Sequence, residues 1–290
     1  MPRRSASRKE IPFPYLTEDM DFAFPDPLSA DRHGIVCTGG NLSPGLLLSA
    51  YRRGIFPWFS EDDPILWWSP DPRFVLFPEE LHLSSTMRKV LRRRLTGSDA
   101  RRLADSDARR PDKGRDGKFE LVLDGDFGGV IRACSSSPRP GQDGTWITED
   151  MIAAYIELRR LGYAHSVEAR LDGELVGGLY GVALGNVFFG ESMFSREDDA
   201  SKAAFIPLVW RLREEGFTLI DSQVYTEHLA GLGAREIPRI EYLRLLADCL
   251  AGSAAGRSAT STKRRGDWSL LFAGFPDSRL YRSVVLKKTD

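Results

Sequence analysis

Two short turns divide residues 166–190 into three strand-like segments, and this pattern constrains the possible folds more than any other stretch. Apolar and polar residues alternate up to the turn at Asp172-Gly173, and a mostly apolar run follows it up to the turn at Gly185-Asn186. Alternation with a period of two is typical of half-buried strands, and Asp-Gly favours a tight hairpin. The pattern therefore predicts three consecutive antiparallel strands.

Helices and further strands are predicted on both sides of these hairpins. Thr148 is a suitable N-cap, acidic residues follow it, and Gly162 ends the apolar face, so a helix is predicted between them. The other predicted elements are a strand at 119–123, a helix from Ser201 to Gly216, a strand at 218–224 and a helix from about Pro238 through Cys249. Strands, helix, strand and helix in this order resemble the core of the N-acetyltransferase-like (GNAT-like) superfold, so the predicted class is α+β with a mixed sheet.

The N-terminal part of the chain is predicted to form a separate small α/β domain. Ser43 as N-cap, Pro44 at the first helical position and Gly54 as the stop indicate a helix. The aromatic loop that follows, 55–73, is too rich in proline for a regular helix or a central strand. The predicted division is an N-terminal domain at 1–72, a GNAT-like domain at 73–250 with a basic loop or insertion at 96–118, and a flexible spacer and tail at 251–290.

The charge of the chain is unevenly distributed. The formal net charge is −1, but the stretch 88–118 contains twelve Lys or Arg against five Asp. Such a patch can neutralise phosphates of a nucleic acid, and the candidate contacts at its start are Arg88, Lys89, Arg92, Arg93 and Arg94. The alternative is a solvated linker whose charges keep the chain in solution.

Membrane and secreted proteins are disfavoured by the sequence. It contains no run of about 18 apolar residues that could span a bilayer, and its basic N-terminus is not followed by an unbroken apolar segment. The three cysteines, Cys37, Cys134 and Cys249, are far apart and lack metal or redox spacing. We expect a cytoplasmic protein without membrane contact.

Polar residues at two places indicate a candidate site. Asp221 and Gln223 are two residues apart at the polar end of a predicted strand, so their side chains are expected on one face. Glu191 lies in a run of phenylalanines, where a carboxylate needs a partner, either a structural cation or the ammonium group of a ligand. A capped strand end with satisfied polar groups is the alternative interpretation of Asp221 and Gln223.

The sequence offers no competing catalytic constellation. The four histidines, His33, His82, His165 and His228, form no metal-binding pair, and Gly-x-Ser-x-Gly, Walker and dinucleotide motifs are missing. His165 and His228 are expected to be structural. We therefore expect a site that positions two substrates without a metal, a cofactor or a covalent intermediate.

Seven blocks of the sequence resemble the leucyl/phenylalanyl-tRNA–protein transferases, and the resemblance covers about residues 24–250. The blocks are GGNLSP at 39–44, YRRGIFPWF at 51–59, LWWSPDPR at 66–73, GTWIT at 144–148, GYAHSVE at 162–168, GESMFS at 190–195 and LIDSQV at 219–224. The resemblance implies transfer of Leu or Phe, and less readily Met, from aminoacyl-tRNA to an N-terminal Arg or Lys. It also implies that the product is marked for degradation by the N-end rule pathway. We expect the chain to act as a monomer.

The resemblance also assigns site residues. The pocket for the aminoacyl side chain and the terminal adenosine of the tRNA corresponds to Trp58, Trp146, Met193 and Ile220, with Tyr51 and Tyr155 nearby. The polar active-site positions correspond to Glu191, Asp221 and Gln223. The chain departs from the family pattern at Leu179, where a Met is familiar, in the longer stretch 96–118 and after Gly252.

The implied chemistry depends on positioning more than on a strong base. The α-amine of an acceptor has a pKa of about 7.7–8.0, so part of it is already unprotonated at pH 7. Gln223 is expected to accept a hydrogen bond from this amine, with Asp221 fixing the amide and supplying negative charge. Glu191 is expected to recognise the positive charges of the acceptor.

Two other functions remain open from the sequence. An acyl-CoA-dependent GNAT acetyltransferase would need a glycine-rich pyrophosphate loop before a helix, whereas residues 195–202 are acidic and lack glycine. A non-catalytic tRNA-binding protein would use the stretch 88–118 and would form no product.

Overall fold

The structure is a computed structural model that describes residues 13–95, 118–138 and 145–251. Its α-helices in these ranges are α1 (Pro44–Arg52), α2 (Ser85–Arg94), α3 (Phe127–Ser136), α4 (Glu149–Arg160), α5 (Ala200–Glu214), α6 (Glu227–Ala230) and α7 (Arg239–Ala251). The predicted basic loop 96–118 and tail 251–290 lie outside the described residues, apart from Lys118 and Ala251.

The strands of the described residues form two sheets. They are β1 (Ile35–Thr38), β2 (Phe56–Pro57), β3 (Leu66–Trp68), β4 (Arg73–Leu76), β5 (Glu120–Leu123), β6 (Ala164–Leu171), β7 (Glu174–Leu184), β8 (Val187–Ser195), β9 (Leu219–Asp221) and β10 (Arg235–Ile237). The small sheet has the order β1-β3-β2, and the large sheet has the order β10-β4-β9-β8-β7-β6-β5.

The large sheet confirms the predicted hairpins and the α+β class. Strands β5 to β8 are antiparallel neighbours, whereas β8 pairs with β9 in parallel, with Phe189 opposite Asp221. Helix α5 makes the crossover that a parallel pair requires. The parallel pairing brings the residues after Phe189 and those after Asp221 to the same end of the sheet.

Apolar residues cover the large sheet in two clusters. One cluster joins Tyr155 of α4 and Phe189 of β8 to residues of α1, α3 and α7. The other joins Phe188 and Ile220 to α2 and α5. Gly177 of β7 allows α5 to approach closely, because a Cβ there would lie 2.5 Å from the Cβ of Ala200.

The N-terminal helix is confirmed, but its first turn differs in detail from the prediction. Ser43 is the N-cap of α1 and Pro44 is its first residue. The Ser43 side chain makes no cap hydrogen bond, and its Oγ accepts the N–H of Leu16 at 3.1 Å instead. Helix α4 follows the predicted pattern, since the Thr148 side chain accepts the N–H of Met151.

The prediction that the aromatic loop contains no central strand is wrong. Strand β3 lies in the middle of the small sheet and carries Trp67, which is 1% exposed. Proline is tolerated because Pro57 lies on the edge strand β2, where one side of the backbone needs no ladder partner. Strand β4 starts at Arg73, the first residue of the predicted GNAT-like domain, and the domain boundary at 72 stays a prediction.

Candidate active site

A cavity of about 690 Å³ opens where β8 continues beyond the end of β9. Its walls come from residues 190–195 of β8, from Ser222–Val224 after β9, and from the aromatic segment Phe56–Trp58. Trp146, residues of β7, α5 and α6, and the segment after α3 also line it, and most of the wall is apolar. A cavity of this size can hold a small organic group such as an aminoacyl side chain with part of a nucleoside.

Glu191 projects into this cavity from an irregularity in β8. Tyr180 of β7 pairs with Ser192 and Gly181 pairs with Gly190, which leaves Glu191 as the extra residue of a β-bulge. Bulges redirect side chains and are frequent beside active sites. Gly181 is required at this point, because a Cβ there would lie 2.2 Å from the carbonyl oxygen of Phe189.

Two buried tyrosines bind the Glu191 carboxylate from behind. The Tyr51 hydroxyl donates to Oε1 at 2.7 Å, and the Tyr155 hydroxyl donates to Oε2 at 3.0 Å. The two hydroxyl oxygens also lie within hydrogen-bond distance of each other, but each hydroxyl has one proton, so a tyrosine that donates to the other does not donate to an ionised Glu191 at the same time. Tyr51 comes from α1 and Tyr155 from α4, so both halves of the chain contribute to the site.

The protonation of Glu191 is finely balanced. Burial raises the pKa of its carboxyl to about 7, and the two tyrosine hydrogen bonds oppose this shift without cancelling it. Burial, together with the charge of Glu191, raises the pKa of Tyr51 and of Tyr155 well above the ordinary value. The tyrosines therefore stay protonated as donors while Glu191 changes charge near neutral pH.

Asp221 faces away from the cavity. It is fully buried, and Arg73 donates to it through Nε at 2.8 Å and through Nη2 at 2.6 Å. The hydroxyl of Tyr242 donates to Oδ2 at 2.7 Å. The negative charge of Asp221 is therefore compensated inside the protein.

Gln223 lies beyond the end of β9, so the prediction that it shares a strand face with Asp221 is wrong. Its φ is +58°, in the left-handed region, and its N–H donates to Asp221 Oδ1 at 3.0 Å. A carboxylate that captures the N–H two residues later forms a turn and ends the strand. Asp221 thus holds the backbone amide of Gln223, while the side chain of Gln223 lines the cavity.

The Gln223 side-chain amide has one orientation that satisfies its hydrogen bonds. In that orientation Nε2 donates to the carbonyl oxygens of Gly190 at 2.9 Å and Ser222 at 3.0 Å. Oε1 then occupies the position 3.4 Å from Glu191 Oε1. Both oxygens are acceptors, so the amine of a bound molecule could donate a hydrogen bond to each of them.

The other predicted site residues fall into three groups. Trp58, Trp146 and Met193 line the cavity, and so does Leu179, where the chain departs from the family pattern. Ile220 is fully buried and packs in the cluster beneath Met193, outside the lining. Arg88, Lys89, Arg92, Arg93 and Arg94 lie on α2, which does not line the cavity.

The first residues of the basic stretch, 88–94, lie on helix α2. The side chain of Ser84 caps its N-terminus. Three arginines occupy its last turn, where their positive charges interact favourably with the helix dipole. Lys89 and Arg93 are exposed one turn apart, and Arg94 lies over the ring of Phe119 at 4.3 Å. Contact of α2 with tRNA stays a prediction.

Sequence reasoning missed Arg73, Tyr242 and Phe205. Arg73 ends the block LWWSPDPR, but a single arginine carries no periodic signal that indicates a buried partner 148 residues away.

The two histidines that were expected to be structural have different positions. His165 is buried with Nδ1 2.8 Å from Asp124, whereas His228 lines the cavity. In the described ranges no group of three or more His, Cys, Asp or Glu is arranged to hold a metal, and none of the helices described there is long and apolar enough to cross a membrane.

The sheet order and the position of the cavity define an α+β protein with a seven-stranded mixed sheet and a site between β8 and β9. The leucyl/phenylalanyl-tRNA protein transferase model matches residues 75–247, and the model of the N-terminal domain of the same transferases matches residues 40–71. The chain therefore belongs to the leucyl/phenylalanyl-tRNA protein transferase family, whose members are aminoacyltransferases.

Individual relatives agree with this assignment. A leucyl/phenylalanyl-tRNA–protein transferase of Myxococcus xanthus (strain DK1622) is 48% identical over 89% of this chain and 97% of its own length. One from Pseudomonas entomophila (strain L48) is 50% identical over 80% of this chain and 93% of its own length. Among solved structures, a GCN5-related N-acetyltransferase from Kribbella flavida gives a TM-score of 0.29 at 13% identity, over 67% of this chain and 61% of that one, which is too low to add to the argument.

Proposed function

We propose that this chain transfers Leu or Phe, and less readily Met, from aminoacyl-tRNA to the N-terminal Arg or Lys of acceptor proteins, which marks them for degradation by the N-end rule pathway. Membership of the family supports the reaction class. The observation that carries the proposal is the pair formed by Glu191 and Gln223, whose side-chain polar atoms lie 3.4 Å apart in the wall of a largely apolar cavity.

The reaction needs two substrates held in contact. The amine nitrogen of the acceptor attacks the carbonyl carbon of the aminoacyl ester, and an amide bond forms as the bond to the ribose oxygen breaks. The amine loses a proton and the ribose hydroxyl gains one, so charge and atoms balance. Holding both reactants in an attack geometry contributes about 7–11 kcal/mol, which makes positioning the dominant effect.

Gln223 and Glu191 supply complementary contacts to the acceptor. With Nε2 held by two carbonyl oxygens, Gln223 presents Oε1 to accept a hydrogen bond from the attacking amine. The ionised form of Glu191 attracts the positive charges of an N-terminal Arg or Lys. A neutral amide is too weak a base to take the proton, so Gln223 orients the amine and does not deprotonate it.

The apolar part of the cavity fits the transferred residue. Trp58, Trp146, Met193 and Leu179 present apolar surface, and Phe205 of α5 faces the same space. An apolar pocket discriminates by only about 1–3 kcal/mol for each methylene, so Leu, Phe and Met are all expected to enter. A charged side chain would lose its hydration there without gaining a partner.

For the tRNA, we propose stacking of its unpaired end on the cavity tryptophans and phosphate contacts with α2. Trp58 is held by Trp68, whose ring centroid lies 5.4 Å away and whose Nε1 donates to the Trp58 carbonyl oxygen. Aromatic side chains bind single-stranded bases with little sequence preference. The basic residues of α2 would add binding that weakens with salt.

An acetyl-CoA-dependent reaction is less well supported by the same region. Helix α5 begins after Asp199, which has a φ of +65° and pairs with Lys202 at 3.3 Å. The Asp199 side chain makes no cap hydrogen bond, but its negative charge beside the helix N-terminus would repel a pyrophosphate.

The decisive assay combines radiolabelled Phe-tRNA with a peptide that begins with Arg. We expect labelled peptide, and we expect none from the same peptide with an acetylated N-terminus. Transfer no faster than without protein would contradict the proposal. Transfer of acetyl from acetyl-CoA instead would indicate the acetyltransferase, and salt-sensitive tRNA binding without any product would indicate the RNA-binding alternative.

A monomeric protein of the cytoplasm is also part of the proposal. The three cysteines are free thiols, which suits a reducing compartment. Sedimentation of the purified chain at the concentration of the transfer assay tests the oligomeric state, and a dimeric mass would contradict it.

A further inference from the structure

We propose that Arg73 and Tyr242 are positioning residues for aminoacyl transfer, because they set the conformation of Gln223 through the carboxylate of Asp221. This inference rests on the proposed contact between Gln223 and the acceptor amine. It gives a role to a buried network behind the cavity wall that neither reactant touches.

All of the hydrogen bonds that reach Asp221 come from within the protein. Oδ1 accepts from Nε of Arg73 and from the N–H of Gln223, at 2.8 and 3.0 Å. Oδ2 accepts from Nη2 of Arg73 and from the hydroxyl of Tyr242, at 2.6 and 2.7 Å. A fully buried carboxylate with four donors is committed to structure, so its effect on the reaction passes through Gln223.

Gln223 needs this support because of its backbone conformation. A φ of +58° is disfavoured for any residue with a Cβ and persists only where neighbouring groups fix it. Besides the bond from its N–H to Asp221, its carbonyl oxygen accepts the N–H of Phe74 at 3.2 Å. The N–H of Ser222 donates to the carbonyl oxygen of Phe74 at 3.0 Å. Arg73 therefore supports the backbone of Gln223 in two ways. Its side chain binds Asp221, and the residue after it in β4, Phe74, pairs with the backbone of Ser222 and Gln223.

The guanidinium group of Arg73 is itself fixed in orientation. It lies between two rings, 4.8 Å from the centroid of Phe56 and 4.5 Å from that of Tyr242. A planar guanidinium that donates two hydrogen bonds to one carboxylate allows little rotation of either partner. Phe56 lines the cavity, so the network connects the aromatic wall to the loop that carries Gln223.

The first test is Tyr242→Phe, which removes one hydrogen bond to Asp221 and keeps the ring beside Arg73. We expect kcat for transfer of Phe to an Arg-starting peptide to fall between about fivefold and about a hundredfold, the loss that a misplacement of about 1 Å produces. The KM for Phe-tRNA should change less than about twofold, because the tRNA contacts are untouched. Tyr163→Phe, at a buried tyrosine outside the cavity lining, is the matched control and should leave kcat unchanged. An unchanged kcat in Tyr242→Phe would overturn the inference.

The second test is a double-mutant cycle of Tyr242→Phe with Gln223→Ala. If Tyr242 acts through Gln223, adding Tyr242→Phe to Gln223→Ala should reduce kcat by less than about twofold further. Losses that multiply would mean that Tyr242 is merely structural and would overturn the inference, although Gln223 would keep its proposed role. Full activity of Gln223→Ala alone would instead remove that role. Thermal unfolding of each variant checks that the fold is intact.

Discussion

The two carboxylates of the site, Glu191 and Asp221, come from neighbouring strands and have very different surroundings. Glu191 is half-buried, faces the cavity and accepts hydrogen bonds from two neutral tyrosine hydroxyls. Asp221 is fully buried and paired with a cation. One sheet therefore supplies two acidic groups in different electrostatic surroundings, since Glu191 accepts hydrogen bonds from neutral hydroxyls whereas Asp221 is paired with the cation of Arg73.

The largest expected difference between the two carboxylates is in stability. Arg73→Met should destabilise the protein by about 3–5 kcal/mol, because it leaves the Asp221 charge buried without its partner. Glu191→Gln should cost less than about 1.5 kcal/mol, since the amide oxygen can still accept a tyrosine hydrogen bond. Urea unfolding measures both. Asp221→Leu added to Arg73→Met should restore much of the loss, and similar costs for the two single variants would break the comparison.

Binding of the acceptor should depend on Glu191 and much less on Asp221. Glu191→Gln removes the charge that attracts an N-terminal Arg, so the KM for the acceptor peptide should rise about ten- to a hundredfold, as expected for the loss of a hydrogen bond to a charged group. Steady-state kinetics with Arg- and Ala-starting peptides checks this. An equal rise in KM for both peptides would mean that Glu191 does not recognise the charge of the acceptor side chain.

The carboxyl group of Glu191 should make the stability of the protein depend on pH. The pKa of Glu191 is about 7 in the folded protein against an ordinary value of 4.5, so the folded state retains a proton that the unfolded chain has released. Its contribution to stability is therefore present below about pH 4.5 and is lost as the pH rises towards 7. The melting temperature of Glu191→Gln, relative to the unmodified protein, should rise through this window. A constant difference would contradict the raised pKa.

The smallest expected effect lies away from both carboxylates. Reversing the charges of Arg92, Arg93 and Arg94 should flatten the salt dependence of tRNA binding, with a slope change of roughly 0.7–0.9 for each phosphate that the helix no longer neutralises. The value of kcat at saturating Phe-tRNA should stay unchanged. An unaltered slope, measured by filter binding over a range of salt concentrations, would leave α2 without a role in tRNA binding.

The sequence predicted those elements whose signals are local. Short-range rules predict hairpins at Asp-Gly and Gly-Asn turns, and they predict helices that have clear caps. The structure confirmed these hairpins and helices. Helix α3 was missed because Gly128-Gly129 resembles a turn, although Asp126 caps the helix by accepting the N–H of Gly129. Strand 218–224 was predicted too long because the turn made by Asp221 has no periodic signal.

The candidate site could be predicted only in part. Glu191 and Gln223 stood out as polar residues in apolar surroundings, but their meeting depends on the parallel pairing of β8 with β9. One partner of each carboxylate, Tyr51 for Glu191 and Arg73 for Asp221, lies 140 or 148 positions away along the chain. Contacts of that range depend on how the elements pack, which no short pattern encodes.

The bulge in β8 makes the site sensitive to the length of the chain at one position. Deleting Glu191 would remove the extra residue and allow continuous pairing with β7. Such a chain would keep its sheet and much of its core. It would lose the carboxylate that faces the cavity, so the loss of one residue would remove the proposed contact with the acceptor and leave the fold in place.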